Sequence, residues 1–197
     1  MNPGRLEKQI RFLVEADKLK DIYRRSFLVN GSRKENDAEH SWHFALCALV
    51  LREYADEPDL DLLTVLKMAL VHDLVEIYAG DTYIYDAAGR ETQAAREREA
   101  ADRLFPMLPR EQAEEFRRLW MEFEEKRTKE ARFAGAIDRL QPLLLNYFSG
   151  GESWREHGVN AEQVFEITSR ISEGSMTLWE YARGLIREAV DGGILPG

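Results

Sequence analysis

Residues 62–81 read LLTVLKMALVHDLVEIYAGD. The first nine belong to a buried helix, apolar at nearly every position, yet His72, Asp73 and Glu76 then fall within two turns. Burying three ionisable groups is costly unless hydrogen bonds or an ion offset their desolvation. In an ideal helix neighbouring side chains point about 100° apart, so His72 and Asp73 can both reach one ion lying beside it. Glu76 follows one turn later on the same face. Gly80 stands where a helix stops, in the position that favours the left-handed cap. The same stretch also fits a hydrogen-bonded core histidine, and by itself it leaves both readings open.

The rest of the chain is helical on either side. Leu6, Ile10, Leu13, Val14 and Leu19 trace one apolar stripe at helical spacing. Gly, Ser, Asn and Asp mark 31–37 as a loop, and a helix follows over about 38–54. Pro58, within DEPDLD, separates it from the helix over about 62–79. DTYIYDAAGR (81–90) reads as irregular, then ETQAAREREAADRLF (91–105) as a helix closed by Pro106 and Pro109. Helices over about 111–127 and 130–148 precede Gly150-Gly151, and a long helical stretch over about 160–189 has Gly174 as a bend. No segment reads convincingly as a strand. The expectation is a single all-α domain spanning 1–197, a helical bundle whose last helices complete the packing or form an interface.

Composition narrows the functional classes. With 44% hydrophobic and 32% charged residues the chain is that of a globular protein. No apolar run reaches membrane-spanning length, and MNPGRLEKQIRFLVEADKLK lacks a signal-peptide core. The lone Cys47 excludes an internal disulfide, so the expected location is the cytoplasm. A net charge of −9 without a basic stripe argues against a nucleic-acid polymer as partner. A small anion fits, provided a metal or a few arginines reverse the field locally.

The four histidines are His40, His43, His72 and His157. His40 lies in ENDAEHSWH (35–43), among residues of a helix start. In AGAIDRLQPLLLNY (134–147), Asp138 interrupts an apolar run, where Arg139 or Arg132 could pair with it.

AEHS (38–41), VHDLVEIYAGD (71–81) and AIDRL (136–140), in that order, resemble the HD-domain metal-dependent phosphohydrolases. The nearest branch is the small one containing bacterial 5′-deoxynucleotidases and their eukaryotic relatives. The likeness runs over about 19–145 and continues weakly through SWREHGV (153–159). It implies an HD-type bundle in which His40, His72, Asp73 and Asp138 hold one divalent ion, for which Mn, Fe, Co, Ni or Zn all suit the donors. Asp138 would also face the substrate. Glu76 matches the family's catalytic carboxylate and, with Asp73, would orient water or move protons. Arg24, in LKDIYRRSF, matches an arginine that orients the phosphate, a task suited to a guanidinium. Asp81 matches a sugar contact.

Two departures bear on specificity. Arg25 stands where the bacterial enzymes place a tryptophan, and Thr82, Tyr83 and Ile84 replace a proline-containing segment. Both alter sugar and base preference rather than reaction type, and the added arginine suits a more highly charged substrate. Residues 74–137 contain no histidine, which implies a mononuclear site. His43 is read as a supporting residue and His157 as structural, and Trp42, Trp120, Trp154 and Trp179 as core or interface.

The implied activity is release of phosphate from nucleoside 5′-monophosphates, deoxynucleotides in the first place, by a water activated on the ion. The alternatives are a nucleotide-binding sensor without turnover and a hydrolase of another phosphate ester. The intact motif, Glu76 included, favours turnover. The family also implies a homodimer.

Overall fold

Most helices of this chain begin at a side chain that accepts an otherwise unpaired backbone N–H. A computed structural model describes residues 4–197. Helix α1 spans Arg5–Ala16, and a ribbon of two antiparallel strands follows, β1 (Tyr23–Phe27) and β2 (Lys34–Asn36). At the ribbon's end Asn36 accepts from the Glu39 N–H while Glu39 reaches back to the Asn36 N–H, a capping box that starts α2 (Asp37–Leu51). Asp61 caps α3 (Leu62–Val71), and after a tight turn α4 covers Glu76–Ala79. Asp86 caps α5 (Ala87–Leu104), Pro109 precedes α6 (Arg110–Glu125), and Thr128 caps α7 (Lys129–Phe148). The chain ends with α8 (Glu152–His157), α9 (Ala161–Thr168) and α10 (Met176–Asp191). The fold is all-α apart from the ribbon. Among the described residues no helix is long and apolar enough to cross a membrane.

Two apolar clusters form the interior. The larger gathers Phe44, Met68, Phe123, Ile137, Leu140 and Ile186. The smaller lies beneath α1 and α5 and contains Phe12, Val71, Leu74, Val75, Leu104 and Trp120. His72 sits at their seam, because its chain neighbours belong to the smaller cluster while its ring meets Phe44 and Phe123 of the larger one.

Several expectations are corrected. The ribbon is new: five residues pair with three across a turn in which Gly31 takes φ 67, too short to display an alternating pattern. The helix over 62–79 is not one α-helix, since His72–Val75 tightens into a 3₁₀ turn before α4. Such turns have three residues per turn rather than 3.6, so His72 and Glu76 are not spaced as an ideal α-helix would set them. Helix α5 starts at Ala87, inside the stretch read as irregular, because Asp86 accepts from the Gly89 N–H. The long C-terminal stretch does bend at Gly174, which abuts the Arg132–Phe133 backbone so closely that no side chain fits, but it is already interrupted by a 3₁₀ turn over Ser169–Glu173.

The α1 stripe has the expected spacing, and most of it faces outwards. Leu6, Ile10, Leu13 and Val14 are 51–70% exposed, and α1 instead buries Phe12 against Phe116. Trp42 is likewise exposed, whereas Trp120 and Trp154 are buried and Trp179 packs on Phe165.

Candidate metal centre

Three elements bring the motif residues together: α2 supplies His40, the 3₁₀ turn supplies His72 and Asp73, and α7 supplies Asp138. His40 is wholly buried and His72 nearly so. The ligand atoms of His40, His72 and Asp73 lie within 4.8 Å of one another. Asp138 Oδ1 completes the group, 3.1 Å from His40 Nε2 and 3.7 Å from His72 Nε2.

The hydrogen bonds behind the rings orient them. His72 Nδ1 donates to the Ala69 carbonyl (3.1 Å), since a carbonyl can only accept. Gln141 Nε2 donates to Glu35 (2.8 Å) and to His43 Nδ1 (3.0 Å), which leaves its oxygen to accept from His40 Nδ1 (2.9 Å). Both Nε2 atoms therefore face Asp73 and Asp138, and His72 Nε2 is buried without a hydrogen-bond partner. The arrangement requires positive charge between the rings. Burial opposes protonation of His72, yet Asp73 and Asp138 draw it up to about 10. Burial would likewise raise Asp73, but His72 and Arg24 hold it down at about 2. Asp138, against its burial, is held well below the carboxylate range by both histidines. Two imidazole nitrogens and two carboxylates, pre-oriented by outer partners, fit a divalent metal ion. Asp138 pairs with the histidines rather than with arginine, because Arg139 donates to the Gly135 carbonyl and Arg132 to that of Arg127.

Glu76 and Asp37 form the adjoining wall. Both are buried, and with Asp73 they make a second close acidic group. Burial, then Asp73 and Asp37, push Glu76 well above the usual carboxylate range, and burial and Asp73 raise Asp37 to about 7. Arg24 enters from β1 and donates to Asp73 Oδ2 at 3.0 Å, with Asp37 3.6 Å away. A cavity of about 400 Å³ opens beside the cluster, within the range of small-molecule sites. Arg24, Arg25, Asp73, Glu76, Asp81 and Asp138 all line it, Arg25 from an exposed position. His43 bonds Gln141 and stacks on Trp42, and His157 bonds the Ser153 carbonyl.

Asp37, Glu35 and Gln141 escaped the sequence reading. Gln141 alone left a trace, as the residue three past Asp138 on the same helical face. Glu35 is brought in by the ribbon, which the sequence did not reveal, and Asp37 by the first residue of α2 directly after it.

A family model described as HD domain matches residues 16–179. The mouse protein named 5′-deoxynucleotidase HDDC2 is 30% identical over 136 residues, covering 68% of this chain and 66% of that protein, just under two thirds of its length. The fission yeast 5′-deoxynucleotidase hdd1 is 29% identical over 148 residues, 73% of each chain. A crystal structure described as a predicted metal-dependent phosphohydrolase from Magnetospirillum magnetotacticum superposes with a TM-score of 0.95 at 50% identity, over the whole of both chains.

Proposed function

The chain belongs to the HD-domain family, and from that premise we propose a metal-dependent phosphohydrolase that releases phosphate from nucleoside 5′-monophosphates, with deoxynucleotides as the preferred class. The observation that carries this reading is the pair of oriented Nε2 atoms converging with Asp73 and Asp138 on the wall of a nucleotide-sized cavity. The names of the mouse and yeast relatives supply the substrate class.

His40, His72, Asp73 and Asp138 would hold one divalent ion, of Mn, Fe, Co, Ni or Zn. When bound, such an ion supplies Lewis acidity towards a phosphoryl oxygen and lowers the pKa of water. The chain's own residues do the rest. Gln141 and the Ala69 carbonyl fix the two imidazoles so that the lone pairs need no rearrangement. Glu76, on the cavity wall, takes the proton of the attacking water and returns it towards the leaving nucleoside oxygen, with Asp73 as its polar neighbour. Arg24 holds Asp73 in place and offers its remaining N–H groups to the phosphate. Asp81, just past the Gly80 turn, reaches the sugar, and Arg25 at the cavity rim meets further negative charge.

We take the whole chain as one catalytic unit and its assembly as a homodimer, a reading supported by the exposed apolar residues of α1 and α2. The deciding experiment strips the protein and reloads it with each ion before adding deoxy- and ribonucleoside 5′- and 3′-monophosphates. Phosphate release from the 5′ isomers that vanishes, together with bound metal, in His72→Ala and Asp138→Ala is the expected result. Tight ion binding without release from any 5′-monophosphate would refute it.

A further inference from the structure

The same cavity carries cations that neither the cluster nor Arg24 accounts for. Arg170, on its rim, is paired with Glu173 at 2.9 Å. Lys126 and Arg139 also line the cavity, and among the described residues neither forms an ion pair with a carboxylate.

Lys126 ends α6 with φ 52, the sole non-glycine residue at positive φ among those described. That conformation suits glycine or asparagine, and a residue held there against its preference is a pointer to function. The turn sends the lysine stem across Gly135 of α7, where an added Cβ would lie 2.6 Å from Lys126 Cε. Its amine then rests 2.9 Å from the centre of the Phe123 ring, and that ring is 4.8 Å from the His72 imidazole. The ammonium group thus stands one aromatic ring away from the metal ligands. Burial has lowered the amine to about 8, against the pull of Asp138 and Glu124. Arg139 follows Asp138 in sequence, donates to the Gly135 carbonyl at 3.0 Å, and keeps its Nε buried without a partner. An aromatic face offsets part of a cation's desolvation. An anion would offset the remainder.

We propose that Lys126, with Arg139 beside it, binds the non-bridging oxygens of the scissile phosphoryl group, approaching from α6 and α7 while Arg24 approaches from β1. This rests on the phosphohydrolase reading above and adds a catalytic cation to it. Each such charge-assisted contact strengthens as negative charge gathers in the transition state.

Lys126→Met keeps the stem and removes the charge. It should lower kcat/KM for a nucleoside 5′-monophosphate by about 100-fold, the usual loss for one transition-state donor, while bound metal and Tm stay at parental values. Inorganic phosphate should bind the metal-loaded variant more weakly in calorimetry. Lys126→Gly, which relaxes the left-handed turn, should lose activity equally; a purely structural lysine would be replaced by glycine without loss. Parental activity in either variant, or unchanged phosphate binding, overturns the proposal. Absence of turnover in the parent with every ion would sink the phosphohydrolase reading instead, and the phosphate-binding comparison would still decide whether Lys126 forms an anion site.

Discussion

Helix α2 carries opposite inversions on its two faces. Its inner face buries an imidazole, His40, completely beside Phe44 and Ala48. Its outer face leaves Trp42, Leu46, Leu49 and Val50 between 41% and 64% exposed. Helix α1 repeats that outer spacing with Leu6, Ile10, Leu13 and Val14. Single exposed apolar side chains are ordinary, but a contiguous row marks a surface meant to meet something. The inner face has fixed partners within the chain, where Gln141 accepts from His40 Nδ1 and Asp138 stands 3.1 Å from His40 Nε2. Nothing among the described residues covers the outer one. Burial of polar groups is settled by partners at fixed positions within the chain, whereas the exposed apolar rows have no such partner among the described residues.

Breaking the inner face should have the largest effects. Glu76→Gln is expected to cut turnover by ~10²–10⁴-fold, the range for lost general acid–base catalysis, with bound metal unchanged by elemental analysis. Unaltered turnover would remove Glu76 from the chemistry. Gln141→Leu releases the His40 ring, and a loss of about 10–100-fold in metal affinity is expected, as for other outer-sphere partners, read by chelator competition. Equal affinity in both proteins would mean that α2 packing alone orients the ring.

Glu97 tests burial without a cation partner. Its carboxyl, bonded to Gln93, is raised from 4.5 to about 7, chiefly by burial. The folded protein therefore binds its proton more tightly than the unfolded chain. That stabilisation is full below pH 4.5 and is lost as pH rises towards 7. Glu97→Gln should flatten this part of the Tm-against-pH curve, and an unchanged curve would place the titration elsewhere. The outer face should respond least in stability. Leu13→Glu and Leu46→Lys are expected to move unfolding free energy by no more than about 0.5 kcal/mol, yet to shift sedimentation from dimer to monomer. A monomeric parent protein would end the assembly argument.

The contrast also explains what could be read from the sequence. His40, His72, Asp73 and Asp138 drew attention as ionisable residues in apolar surroundings, but only the resemblance of AEHS, VHDLVEIYAGD and AIDRL to the HD family joined them into one set, and the structure brings all four together. Periodicity showed that Leu6, Ile10, Leu13 and Val14 share a face, but not whether that face points inwards, which depends on packing partners distant in sequence. Glu35 joins the site through a ribbon too short to leave a pattern, Asp37 through the helix start that follows it, and Lys126 through a left-handed turn that lysine does not advertise. The 3₁₀ turn at His72 holds no glycine or proline and continues the apolar helix through Leu74 and Val75, so its tighter winding left no mark in the sequence.

Gly135 lies in α7 and Lys126 in the turn that ends α6, but they share one volume. An added Cβ at 135 would lie 2.6 Å from Lys126 Cε, so a side chain there obliges the lysine stem to move, and the glycine thereby sets the path of the stem from a neighbouring helix.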